Sequence, residues 1–127
     1  VELIHRIKPP FAVSALAEAL ALAALEDAPF AWKTLEDCAR EKRYFYAELG
    51  RLGLEYVPSH TNFVLVDTRR DCQEVFQRLL ARGLIVRPAR QYGLPSCVRI
   101  TVGQHPENVR LFQELPGVLA DLPLLKP

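Results

Sequence analysis

The spacing of apolar residues divides the chain into segments of two periods. From Ser14 to about Asp27 alanine and leucine leave few polar positions, with Ser14 as a natural N-cap, so the pattern predicts a helix buried on most sides. Ala28-Pro29 interrupts it. A second helix is predicted over 31–52, with Leu35, Cys38, Tyr44, Phe45 and Leu49 on the apolar stripe and Glu36, Arg40, Glu41 and Lys42 toward water. Gly53 is its expected stop. The character then changes. Asn62–Asp67 (N-F-V-L-V-D) is β-branched and apolar and predicts a strand. Asp71 followed by Glu74 resembles a capping box for a helix over 72–82, which Gly83 ends. Leu84–Arg87 predicts a short strand stopped by Pro88, and 88–96 a loop. Val98–Val102 (V-R-I-T-V) alternates as a strand does. Pro106 suits the first turn of a last helix through Leu115, which Pro116-Gly117 would interrupt before a short apolar tail.

Helix, helix, strand, helix, strand, strand, helix is the resulting order. It predicts an α/β chain of the α+β type: a mixed, mostly antiparallel sheet of three to four strands with helices packed on one face. The strands at 62–67 and 98–102 are expected to be neighbours. Within one domain of 127 residues, the expected parts are a lead-in at 1–13, a helical hairpin at 14–52, a sheet-and-helix body at 53–115 and a tail at 116–127.

Composition narrows the function classes. Half of the residues are hydrophobic, about a quarter are charged, and the net charge is +1. That balance suits a soluble globular domain and argues against an electrostatic nucleic-acid or membrane partner. The Ala15–Leu25 run is too short to span a bilayer. Cys38, Cys72 and Cys97 are far apart, as are His5, His60 and His105, so no metal site is expected. Three dispersed thiols suit a reducing cytoplasm. The chain starts at Val1 and holds no methionine, which is compatible with a start inside a longer protein.

The chemistry-bearing candidates are arginines. Arg99 sits inside V-R-I-T-V, flanked by apolar residues, so it must reach solvent at a sheet edge or meet an anion. A guanidinium suits carboxylates because its fork donates two parallel hydrogen bonds. Arg87 ends the preceding predicted strand, and Arg90 follows in the joining loop. Three arginines close to one loop make an anion site more credible than one alone. Tyr92-Gly93-Leu94-Pro95 is a rigid turn that either serves the loop alone or presents Tyr92 to a ligand. Asn62 either orders a ligand or merely starts its strand. Thr101 is read as making local hydrogen bonds. None of the lysines, Lys8, Lys33, Lys42 and Lys126, lies in a Ser- or Gly-rich loop that could cradle a phosphate. No Ser-His-Asp ordering, nucleotide loop or paired-carboxylate motif is present. From the residues alone, this is an anion-recognition domain without a catalytic residue.

Five segments carry a family resemblance: F-A-V-S-A-L-A-E-A-L-A-L-A-A-L (11–25), L-G-L-E-Y-V-P-S-H-T-N-F-V-L-V (52–66), E-V-F-Q-R-L-L-A-R-G-L-I-V-R-P (74–88), Y-G-L-P (92–95) and V-R-I-T-V-G-Q-H-P-E-N (98–108). Together they resemble the C-terminal small domain of histidinol-phosphate aminotransferases, in the class II pyridoxal-phosphate aminotransferase family. The resemblance implies a dimeric, cytoplasmic enzyme of fold type I in histidine biosynthesis. It implies amino transfer between glutamate with 2-oxoglutarate and histidinol phosphate with imidazole-acetol phosphate. Arg99 would bind the substrate α-carboxylate and Arg87 the substrate phosphate or second carboxylate, with Tyr92 and Asn62 as further substrate-binding candidates. The family's Schiff-base lysine, cofactor-phosphate groups and pyridine-nitrogen aspartate precede the stretch that matches V-E-L-I-H-R-I-K-P-P-F. The expectation is therefore that no catalytic or cofactor residue lies in this chain, that it binds no pyridoxal phosphate alone, and that it cannot transaminate alone. Its partners would be the larger cofactor domain and a second copy, and the apolar 11–25 segment would drive self-association. Three alternatives remain open: the small domain of a threonine-phosphate decarboxylase or another class I/II aminotransferase, a stand-alone anion-binding module, and a purely structural dimer-forming remnant.

Overall fold

The computed structural model describes residues 12–125; the lead-in through Phe11, with Lys8 and His5, and Lys126 lie outside the described residues. The chain divides into two compact units, one ending at Glu36 and one starting at Asp37.

In the first unit, helix α1 spans Ala15–Glu26 and Ser14 caps it, its Oγ accepting the Ala17 N–H at 3.2 Å. Helix α2 spans Ala28–Arg51 and begins earlier than the expected residue 31. Asp27 explains the early start. Its Oδ1 accepts the Phe30 N–H at 3.1 Å and its carbonyl accepts the Ala31 N–H. Pro29 thereby falls in the first helical turn, where its missing N–H has no partner to lose. The expectation that α1 would be buried on most sides is not met: it buries none of its residues, and Leu16, Leu20, Leu22 and Leu25 are exposed. A helix apolar all round becomes buried only when another element covers it, and its own sequence cannot supply one.

The second unit holds the rest of α2, strand β1 (Glu55–Val57), strand β2 (Phe63–Asp67), helix α3 (Cys72–Ala81), strand β3 (Arg87–Pro88), a 3-10 turn (Arg90–Tyr92), strand β4 (Cys97–Thr101) and helix α4 (His105–Ala120). Gly53, at φ 66°, takes the left-handed turn that leads from α2 into β1. The four strands form one sheet in the order β1-β2-β4-β3, and every pairing is antiparallel. The predicted neighbours at 62–67 and 98–102 do pair. β1 carries little strand pattern and was not anticipated.

Alternation along the strands sorts the side chains. Val64, Val66, Val98 and Ile100 form the covered face and are at most 3% exposed. Over them pack Phe45 and Leu49 of α2, Cys72, Val75 and Leu79 of α3, and Leu111, Phe112, Leu115 and Val118 of α4. Phe45 and Phe112 meet edge-to-face with ring centroids 4.9 Å apart. Burying each of these aliphatic or aromatic side chains is worth about 1.5–3 kcal/mol, which is what holds helices to sheet.

Two local expectations fail for tertiary reasons. Residues 84–86 are not a strand, because the Leu84 N–H bonds the Leu79 carbonyl and closes α3. Only Arg87 and Pro88 reach β4. Helix α4 runs through Pro116 instead of stopping at Leu115. Pro116 removes one helical hydrogen bond, yet Val118, Leu119 and Leu122 beyond it are buried in the core and hold the next turn in place.

Candidate anion-binding face

The other side of the sheet is not covered by α2, α3 or α4. Opposed residues of an antiparallel pair share a face, so the register assigns its occupants. Val57 opposes Leu65, Leu65 opposes Arg99, and Arg99 opposes Arg87. Those four form one row across the sheet. Phe63 and Thr101 form the next row, and Glu55, Asp67 and Cys97 the one on the other side.

Arg99 and Arg87 are thus brought side by side, directly opposed on neighbouring strands. Arg99 is partly buried and Arg87 exposed. Like charges placed opposite one another repel, so the pair is a local excess of positive charge. Among the described residues neither guanidinium makes a hydrogen bond or ion pair. The Arg99 Nε is out of solvent and has no partner. A buried donor left unmade costs about 1–3 kcal/mol, so the site holds unmet donor capacity. Phe63 lies against Arg99, its ring centroid 4.8 Å from the guanidinium carbon.

The third arginine behaves otherwise. Arg90 is ion-paired with Asp71 and does not join the row. Asp71 is also the N-cap of α3, its Oδ1 accepting the Gln73 N–H at 2.8 Å. Partial burial alone would raise its pKa, but the Arg90 pairing and the helix N–H groups outweigh that and hold it below the ordinary carboxylate value. Arg90 is raised in turn, chiefly by its hydrogen bond to Asp71. The expected capping-box role of Glu74 is not seen; Asp71 alone accepts the helix donors.

Tyr92 closes the 3-10 turn before Gly93, which takes φ 76°, and is 65% exposed. Asn62 is exposed and its carbonyl accepts the Val102 N–H at 2.8 Å, extending the β2–β4 ladder. Among the described contacts none joins Tyr92 or Asn62 to Arg99 or Arg87. Cys97 shares the open face; its thiol is pushed up by burial and then by the Asp67 carboxylate. No group of three or more His, Cys, Asp or Glu among the described residues could hold a metal, and no helix there is long and apolar enough to cross a membrane.

One polar cluster was misread from sequence. Glu41 does not face water: it is 4% exposed. Its Oε2 accepts Asn108 Nδ2 at 2.9 Å and lies 3.0 Å from His105 Nδ1, while Arg40 Nε donates to Oε1 at 3.3 Å. Burial raises its pKa; the bonds from Asn108 and His105, with His105 and Arg40 nearby, more than reverse this and hold it below the ordinary value. Asn108 in turn brackets Gly103, accepting its N–H at 3.0 Å and donating to its carbonyl at 2.9 Å. A Cβ at Gly103 would stand 2.5 Å from Glu107 Oε2, so a larger residue in this turn out of β4 would require the Glu107 side chain to move. The signal was present in Q-H-P-E-N, but its partner lies on α2.

The model of the aminotransferase class I and II family matches residues 1–114. The chain belongs to this family. It is 43% identical over 118 residues to a histidinol-phosphate aminotransferase of Symbiobacterium thermophilum, covering 93% of this chain and 33% of the relative. It is 41% identical to that of Bdellovibrio bacteriovorus, covering 96% and 33%. The fold matches a solved histidinol-phosphate aminotransferase of Sinorhizobium meliloti in complex with pyridoxal 5'-phosphate, with TM-score 0.74, 28% identity, and coverage of 94% and 34%. The chain therefore spans about a third of the length of these aminotransferase relatives.

Proposed function

We propose that this chain is the C-terminal small domain of a cytoplasmic, pyridoxal-phosphate-dependent histidinol-phosphate aminotransferase, and that its open sheet face binds the acidic groups of the substrate. One observation carries the reading: Arg99 and Arg87 are opposed on neighbouring strands, with no anionic partner among the described residues, and Arg99 keeps a buried unmet donor. Arg99 is assigned the α-carboxylate. Arg87, one strand further out and exposed, is assigned the substrate phosphate or second carboxylate. Tyr92 and Asn62 are kept as flanking contacts. The similarity to histidinol-phosphate aminotransferases over more than nine-tenths of the chain supports the choice of substrate.

The open sheet face carries no lysine and does not fit the cofactor itself. Lys42 donates its ammonium to the Ser59 carbonyl at 3.1 Å, and the unmet donor is a guanidinium, which suits a carboxylate and forms no imine. We assign the cofactor lysine to the part of the protein that this chain does not include, together with the large domain it packs on and a second subunit. The isolated chain is then inactive and shows no pyridoxal-phosphate absorbance. A borohydride-reducible imine formed by this chain alone would overturn that assignment.

The test of the site is kinetic, in the whole enzyme. Arg99→Ala is expected to lower kcat/KM for glutamate and for histidinol phosphate alike, by about ten- to a hundredfold, as for loss of a charged hydrogen-bond partner. Arg87→Ala is expected to penalise histidinol phosphate and glutamate to different extents. Unchanged kinetics in Arg99→Ala would refute the reading.

A further inference from the structure

Phe63 is not an obvious functional residue: it opens a strand and is partly buried. Its position on the open face gives it a task. It opposes Thr101 and lies diagonally across from Arg99, with its ring centroid 4.8 Å from the guanidinium carbon. The Arg99 Nε is closed off, whereas the two Nη groups are not among the buried unpartnered atoms. One face of the guanidinium and one edge are thus occupied or covered. What remains is the Nη edge, a two-donor fork of the kind a carboxylate takes.

An aromatic ring differs from a carboxylate as a holder of arginine. It attracts the cation through its quadrupole but neutralises no charge and accepts no strong hydrogen bond. Arg90 shows the contrast, since Asp71 both orients and neutralises it. A guanidinium held by Phe63 is oriented and still hungry for an anion. A free arginine side chain would have to be ordered at the moment of binding, at a cost in affinity.

We propose that Phe63 is a positioning residue for Arg99, fixing the guanidinium plane so that the substrate carboxylate meets pre-set donors. The proposal rests on the reading of Arg99 as the carboxylate site. In the whole enzyme, Phe63→Leu keeps an apolar side chain but removes the ring. It is expected to raise KM for the amino-acid substrate roughly three- to tenfold, with kcat changed less than about twofold. Phe63→Trp should restore most of the loss, and Phe63→Leu should add nothing in an Arg99→Ala background. In the chain itself, the Arg99 Nε–H resonance should lie upfield in the ring current, exchange slowly with water, and lose both properties in Phe63→Leu.

An unchanged KM in Phe63→Leu beside a raised KM in Arg99→Ala overturns this proposal and leaves the carboxylate site standing. An unchanged KM in Arg99→Ala removes both. A Phe63→Trp variant as impaired as Phe63→Leu, or additive losses with Arg99→Ala, would make Phe63 a packing residue only. Should Phe63→Leu not fold, the wild-type resonance decides: a random-coil shift with fast exchange overturns the proposal.

Discussion

The two faces of the sheet are made by alternate residues of the same strands, and they do opposite work. Val64, Val66, Val98 and Ile100 are sealed under three helices, while Phe63, Leu65 and Arg99, their immediate neighbours in sequence, are only partly covered. One face carries the stability of the domain and the other is left to present charge. A strand with period two can hold a rigid wall on one side and a ligand-facing row on the other, so the position of Arg99 is set by the packing of residues one step away.

The sharpest way to break this contrast is to move one carboxylate by a single position. Val66→Asp buries an unpaired charge in the core and is expected to cost about 3–5 kcal/mol or more, enough to unfold a marginal domain. Leu65→Asp puts the same group on the open face, opposite Arg99, and is expected to change stability by less than about 1 kcal/mol. Urea titrations followed by circular dichroism would compare them. Leu65→Asp should also weaken substrate binding, because it offers Arg99 a carboxylate within the domain. Equal destabilisation by the two variants would mean that the faces are not distinct.

Next in size is the fork of Arg99. Arg99→Lys retains the charge but not the geometry, so it should recover only part of the roughly ten- to hundredfold loss expected with alanine. Steady-state kinetics of the three forms checks this, and full recovery with lysine would show that charge alone suffices.

Glu41 tests the covered side by pH. Its folded carboxyl sits below the ordinary value, so its contribution is fully present above the unfolded carboxylate pKa. That contribution is lost as pH falls through the lowered folded value, when the bonds from Asn108 and His105 and the pairing with Arg40 weaken. Glu41→Gln should therefore reduce stability near neutral pH by about 1–3 kcal/mol and flatten its decline in acid, read from denaturation midpoints across pH. An acid slope unaltered in Glu41→Gln would place the titration elsewhere.

The smallest effects belong to the satisfied arginine. Asp71→Ala removes the α3 cap and is expected to cost about 1 kcal/mol of stability. Arg90→Ala should leave substrate kinetics unaltered, because its charge is already met. A raised KM in Arg90→Ala would return Arg90 to the anion site.

The sequence by itself determined most of the element inventory, β1 excepted, because periodicity and capping are local. The helices at 15–26 and 72–81 and the strands at 63–67 and 97–101 differ from expectation by a residue or two. The V-R-I-T-V alternation likewise separated Arg99 from Val98 and Ile100 before any partner was known. The tertiary structure decided everything that depends on partners distant in the chain. Arg87 acquired its place by register with Arg99, whereas Arg90, three residues on, was captured by Asp71. Residues 84–86 were kept from strand pairing by the closure of α3, and α4 passed through Pro116 because the core takes the residues beyond it. Glu41, placed toward water by helical spacing alone, is buried because Asn108, 67 residues away, meets its carboxylate. Helical spacing orders the residues around one helix, but whether a polar residue is buried depends on the donors a distant segment brings to it.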